Sequence, residues 1–210
     1  MKILILTNGG YGDYSFCKNA DTYDYIICAD AGMKHCRKLN LIPHLIVGDF
    51  DSTNMLDLMY YEDLNVPIHR FSTHKDETDT ELALRYAIEE GATEVVIWGA
   101  VGSRLDHTLG NVHLLYSALK QGVKVTLMNE KNTVMLVDNM IELKGQIGQL
   151  VSLIPFSEKV EGISTIGLAY SLSEDTLWVG SSIGVSNYMT SSKAIIKVKA
   201  GFLLVILAND

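Results

Sequence analysis

One pattern limits the folds open to this chain more than any other. Short β-branched or apolar runs each end in a glycine or polar turn, and most are followed by a helical stretch. Ile3–Leu6 runs into Thr7-Asn8-Gly9-Gly10-Tyr11-Gly12, and Tyr25–Ala29 into Asp30-Ala31-Gly32 with a helix to about Leu39. Leu45–Val47 leads to Gly48-Asp49-Phe50-Asp51-Ser52 and a helix over Asn54–Asp63, with Ser52 as its candidate N-cap. Val66–Arg70 reads as a short fourth strand. The spacing predicts a helix over Thr78–Glu90, with Leu82, Ala83, Tyr86 and Ala87 facing inward and Gly91 ending it. Glu94–Trp98 and Lys124–Met128 are further strands, separated by a helix from about Leu105 to Gln121. Strand–helix units of this length build a parallel sheet with helices on both faces, an α/β domain.

After about Asp138 the pattern changes. Leu150–Ile154, Leu177–Val179, Ala194–Val198 and Leu203–Leu207 are short apolar or alternating runs divided by Gly, Ser, Asn and Asp. They predict a small antiparallel β-sandwich or barrel. Two domains are therefore expected, 1–138 and 139–210, with no repeat or long linker between them.

Of the 210 residues, 48% are hydrophobic, enough for a substantial core. The formal net charge of −8 offers no basic surplus for nucleic acid, so none is expected as a partner. Cys17, Cys28 and Cys36 are odd in number and form no CxxC, which fits reduced thiols, Cys28 packing in the core. No apolar run is long enough to span a membrane, and the opening run Ile3–Leu6 is too short for a signal peptide. A soluble cytoplasmic protein is the expectation.

In a parallel sheet the turns after the strands lie along one edge, where ligands bind. Asn8-Gly9-Gly10, Asp30-Ala31-Gly32, Asp49-Phe50-Asp51-Ser52 and Gly99 through His107 all follow predicted strands. Glycines let backbone N–H groups approach phosphate, and a helix N-terminus adds partial positive charge. Neither glycine pair is a Walker motif or a GxGxxG. Asp49 and Asp51 repel one another unless a proton or cation joins them, and a second acidic knot follows at Lys75-Asp76-Glu77-Thr78-Asp79-Thr80-Glu81. Two such clusters suggest a divalent-metal site, Mg²⁺ by preference, with Asp49, Asp51, Asp76 and Asp79 as candidate ligands. Asp76 and Asp79 stand three apart at a helix start and share a face; the plainer role is to favour the helix dipole. Arg104 suits bidentate phosphate contact, the alternative being a surface ion pair with Asp106. His107 is either a nucleotide contact or a helix-start residue with no task.

These blocks resemble the thiamine pyrophosphokinase family. Gly48-Asp49-Phe50-Asp51-Ser52, Lys75 through Glu81, and Gly99 through His107 are similar to its three signature blocks, in order. Asn8-Gly9-Gly10, Asp30-Ala31-Gly32 and the later Gly184-Val185-Ser186-Asn187 are similar to further family segments, so the resemblance covers nearly the whole chain. It implies a nucleotide-binding catalytic α/β domain followed by a β-sandwich that binds thiamine and forms a homodimer. It also implies transfer of the pyrophosphoryl group of ATP to thiamine, leaving AMP. On that resemblance Asp30, Asp51, Asp79 and Arg104 are catalytic candidates. Asn8, Gly9, Gly10, Lys75, Gly102, Arg104, Asp106 and His107 would hold the nucleotide, and Asp76, Ser186, Asn187 and Tyr188 the thiamine. Asp51 or Asp79 would accept the hydroxyl proton. Lys75 departs from a glutamine found there in some members; beside a cationic ligand a lysine is better placed on phosphate.

Two rival readings remain at this stage. Asp49-Phe50-Asp51-Ser52-Thr53 also fits the DxDxT motif of haloacid-dehalogenase-like phosphatases, with Asp49 as nucleophile. That motif normally follows the fold's first strand, whereas here at least two strand–helix units precede it. The other rival is a nucleotide-sensing module without catalysis.

Overall fold

The structure, a computed structural model, describes residues 1–51, 53–72 and 76–209. The chain forms two compact units, Met1–Glu130 and a second that begins at Lys131. Among the described residues no helix is long and apolar enough to cross a membrane.

The first unit contains β1 (Lys2–Leu6), β2 (Tyr25–Ala29), α1 (Met33–Lys38), β3 (Leu45–Gly48), α2 (Met55–Asp63), β4 (Ile68–Arg70), α3 (Asp79–Glu89), β5 (Glu94–Trp98), α4 (Leu105–Lys120) and β6 (Lys124–Met128). Its strands lie in the order β6-β5-β1-β2-β3-β4. All neighbouring pairs are parallel. The chain winds outward from β1 to β4, then returns to the other side of β1 as β5. That reversal puts the topological switch point between the ends of β1 and β5, where such sheets open a crevice. β1 is buried from Ile3 to Leu6, as a central parallel strand must be, and Leu6, Cys28, Ile46 and Trp98 join one core.

The helices begin and end as their sequences direct, with adjustments. Asn54 caps α2, its side chain accepting from the Leu56 N–H; Ser52, expected as the cap, lies outside the described residues. Thr78 caps α3 by accepting from the Glu81 N–H. Leu82, Ala83 and Ala87 are buried on α3 as expected, but Leu84 joins them and Tyr86 is only half-buried. Tyr86 turns toward the sheet margin, where its ring meets those of His69 and Phe71 at centroid distances of 5.3 and 6.1 Å.

The second unit is all antiparallel: β7 (Asn132–Val137), β8 (Met140–Lys144), β9 (Leu150–Pro155), β10 (Lys159–Ile166), β11 (Asp175–Trp178), β12 (Asn187–Tyr188), β13 (Lys193–Lys197) and β14 (Leu203–Ala208). They form two layers, ordered β12-β9-β14-β7 and β11-β10-β13-β8. Between them Val151, Leu153, Ile163, Leu177, Ile196 and Val205 make a shared core, drawn from alternate positions of each strand. The sequence reading assigned no strand to β7, β8, β10 or β12. In β10, Glu161 and Gly162 interrupt the alternation at a register shift between Val160 and Ile163, with Gly162 at φ +66°. A bulge of this kind hides a strand from a period-two search.

Candidate active site

At the switch point a cleft of about 720 Å³ opens in the first unit. Its floor is backbone. The Trp98 carbonyl, at the end of β5, accepts from the Thr7 N–H, the Thr7 hydroxyl and the Tyr11 hydroxyl, each at 3.0 Å. This ties the Asn8–Gly10 turn to the start of the Gly99–Gly102 loop. The approach is so close that a Cβ on Gly9 would sit 1.8 Å from the Gly99 carbonyl oxygen, and Gly99 itself has φ +80°. Glycine is required at both points, and the result is two turns with little side-chain bulk.

The acidic wall comes from β2, β3 and α3. Asp30 is buried and held in the left-handed region at φ 46°, its Oδ1 accepting from the Thr53 hydroxyl at 2.8 Å. One strand over, Phe50 is likewise left-handed at φ 62° and is 7% exposed. Its ring goes into the core, with the Arg70 guanidinium 5.1 Å from its centroid. Two strained non-glycine residues at adjacent strand ends mark a place where packing overrides backbone preference. Burying Phe50 leaves its neighbours at the surface: Asp49 lines the cleft, and its Oδ1 accepts from the Asp51 N–H at 3.2 Å. From the helix side come Glu77, Thr78, Asp79 and Thr80. Asp79 opens α3, where a carboxylate also complements the helix dipole. Glu77 is paired with Arg85 at 2.5 Å.

Opposite the acids, Arg104 and His107 line the cleft at the start of α4. The Arg104 guanidinium grips Asp106 at 2.6 Å, and this hydrogen-bonded partner holds the Asp106 carboxyl down at about 2. Both side chains are exposed, so solvent and salt screen the pair.

Of the residues singled out in sequence, Asn8, Gly9, Gly10, Asp30, Asp49 and Asp79 thus share one cleft with Gly102, Arg104 and His107. Asp51, Asp76 and Asp106 are exposed and do not line it. Lys75 lies outside the described residues. Ser186, Asn187 and Tyr188 belong to the second unit. There Ser186 and Tyr188 are exposed, while Asn187 is buried and its amide braces the chain, donating to the Tyr170 carbonyl at 2.7 Å and accepting from the Tyr170 N–H at 3.0 Å. Sequence reasoning did not single out Thr108 or Asn111, and it named Thr53 and Glu77 only as members of longer motifs. Single common polar residues such as these show their task only through the contacts the fold gives them.

Among the described residues no group of three or more His, Cys, Asp or Glu is arranged to hold a metal by itself. Mg²⁺ does not demand such a cage; it typically takes one or two carboxylates and completes its shell with water and substrate phosphates. Asp49 and Asp79 are two carboxylates of that kind on one cleft.

Comparison with known proteins agrees across the chain. Residues 16–127 match the family described as thiamin pyrophosphokinase, catalytic domain. Residues 138–203 match thiamin pyrophosphokinase, vitamin B1 binding domain. Thiamine pyrophosphokinase of Bacillus subtilis is 31% identical over 193 residues, 90% of each chain. The crystal structure of thiamine pyrophosphokinase from Bacillus subtilis superposes over 100% of both chains with a TM-score of 0.90 and 27% identity. That from Geobacillus thermodenitrificans gives 0.86 at 27% identity, covering 100% of this chain and 98% of its own.

Proposed function

Because the chain belongs to the thiamin pyrophosphokinase family, we infer that the cleft at the switch point is where ATP gives up its terminal pyrophosphoryl group to thiamine. The activity is thiamine diphosphokinase, yielding thiamine diphosphate and AMP. The observation that carries the site assignment is convergence: glycine turns, carboxylates and an arginine from five separate stretches of sequence face one cleft. The phosphatase alternative falls with it, since Asp49 follows β3, a strand flanked by β2 and β4, and not the first strand of the sheet.

In this reading the Asn8–Gly10 and Gly99–Gly102 backbone receives the polyphosphate, and Arg104 leaves Asp106 to pair with its oxygens. His107 and Asp106 lie beside the nucleoside. Lys75, by sequence, follows them onto phosphate. Asp49 and Asp79 would hold Mg²⁺, with Asp51 and Asp76, near them in sequence, as further candidate ligands. The metal, when bound, neutralises charge on the polyphosphate oxygens and orders them. Asp79, which lines the cleft where Asp51 does not, accepts the proton of the thiamine hydroxyl as it attacks the β-phosphorus, and Asp30, braced by Thr53, keeps a further carboxylate in the cleft. Ser186, Asn187 and Tyr188 serve the thiamine, consistent with the match of the second unit to a vitamin B1 binding domain. A homodimer in the cytoplasm completes the proposal; the free thiols Cys17, Cys28 and Cys36 suit a reducing compartment.

Phosphorus NMR of a reaction with ATP, Mg²⁺ and thiamine tests the chemistry. AMP and thiamine diphosphate should accumulate in equal amounts. Stoichiometric ADP, or phosphate release without thiamine, would overturn the reading.

A further inference from the structure

The loop after β5 has no regular hydrogen-bonding ladder, yet each of its residues from Gly99 to Gly102 is held. The Gly99 N–H donates to the Met128 carbonyl at 2.9 Å. Asn111 Nδ2 on α4 donates to the Ala100 carbonyl at 2.8 Å. Asn129 Nδ2, just past β6, donates to the Val101 carbonyl at 3.0 Å. The Thr108 hydroxyl closes on Gly102, meeting both its N–H and its carbonyl at 3.2 Å. Two consecutive carbonyls are thus claimed by two asparagine amides from different elements.

That arrangement matters for an anionic ligand. A carbonyl oxygen turned into the cleft would repel phosphate oxygens, whereas in a trans peptide the N–H points opposite the carbonyl. We propose that Asn111 and Asn129 are positioning residues for the reaction, keeping the Ala100 and Val101 carbonyls away from the polyphosphate and fixing the loop that leads to Arg104 and His107. This rests on the reading of the cleft as the ATP site. Asn129 is the cleaner probe, because it does not line the cleft and touches the loop from behind.

The test compares wild type with Asn129→Ala, Asn129→Asp and Asn111→Ala, each first checked for a cooperative urea transition. Calorimetry measures binding of a non-hydrolysable ATP analogue with Mg²⁺, and initial rates give KM for ATP and for thiamine separately. Loss of one such hydrogen bond should weaken analogue binding and raise KM for ATP about tenfold, while KM for thiamine stays within twofold. Asn129→Asp should be at least as impaired as Asn129→Ala, since a carboxylate cannot donate to the carbonyl and adds negative charge near the phosphates. Folded variants that bind the analogue as wild type does would overturn the positioning role, as would equal losses for ATP and thiamine. Failure of the wild type itself to bind the analogue would instead remove the ATP-site reading, and this inference with it.

Discussion

Phe50 governs two carboxylates without carrying any charge. A left-handed backbone costs a non-glycine residue about 1–2 kcal/mol, and burial of a phenylalanine is worth more than that. Replacing Phe50 with Ala should destabilise the chain by about 3 kcal/mol in urea unfolding, and kcat should fall as the turn between Asp49 and Asp51 loosens. Asp79→Asn asks a different question, because it keeps size and changes charge. If Asp79 holds the metal or takes the proton, kcat should drop at least about a hundredfold while the urea midpoint barely moves; near-normal turnover at saturating Mg²⁺ would sink that assignment. At this scale the sequence was informative where chemistry is written locally. Asp49-Phe50-Asp51 and the acids before α3 stand out because like charges crowd within a few residues. The hydrogen bond from Thr53 to Asp30 crosses 23 positions, and nothing near either residue announces it.

The helix α1 carries a titratable group that the site does not use. His35 is buried, its ring stacked on Tyr11 at 3.7 Å and its Nδ1 2.6 Å from the Tyr14 hydroxyl. Burial, together with the nearby charge of Lys34, pulls its pKa down to about 4. In the unfolded chain it titrates near 6.5, so between about 6.5 and 4 the unfolded state binds more protons. Stability from this group is full above that window and is lost as pH falls through it. Urea midpoints at pH 7 and pH 5 should therefore differ in the wild type and differ less in His35→Phe; an equal drop in both would remove His35 as the cause. The strands β1, β2, β3 and β5 of the first unit were legible because their apolar runs are continuous and their ends are marked by glycine or polar turns. The second unit was read in part only. Its strands rely on alternation, and β10 breaks alternation at its bulge. The short β12 is two residues long and exists through its pairing with β9, which no local pattern encodes.

For the molecule as a whole, the open matter is assembly. The second unit leaves Trp178, Val179 and Ile183 exposed at 53%, 63% and 75%, with Val185 and Tyr188 at 48% and 41%. Single exposed apolar residues are ordinary, but five within a stretch of eleven residues, Trp178 to Tyr188, are costly to leave in water. A second copy of the chain is the cover we propose, because two-fold association would shield these residues on both copies. Sedimentation equilibrium should then give twice the chain mass at assay concentration. The double variant Val179→Glu, Ile183→Glu should shift the protein to monomer with an unchanged far-UV spectrum, because both side chains are solvent-facing in the chain itself. Thiamine turnover should fall with dimer content if the second unit acts on thiamine only within the pair. A wild-type monomer that is fully active would end the proposal of a dimer, whatever the patch is for.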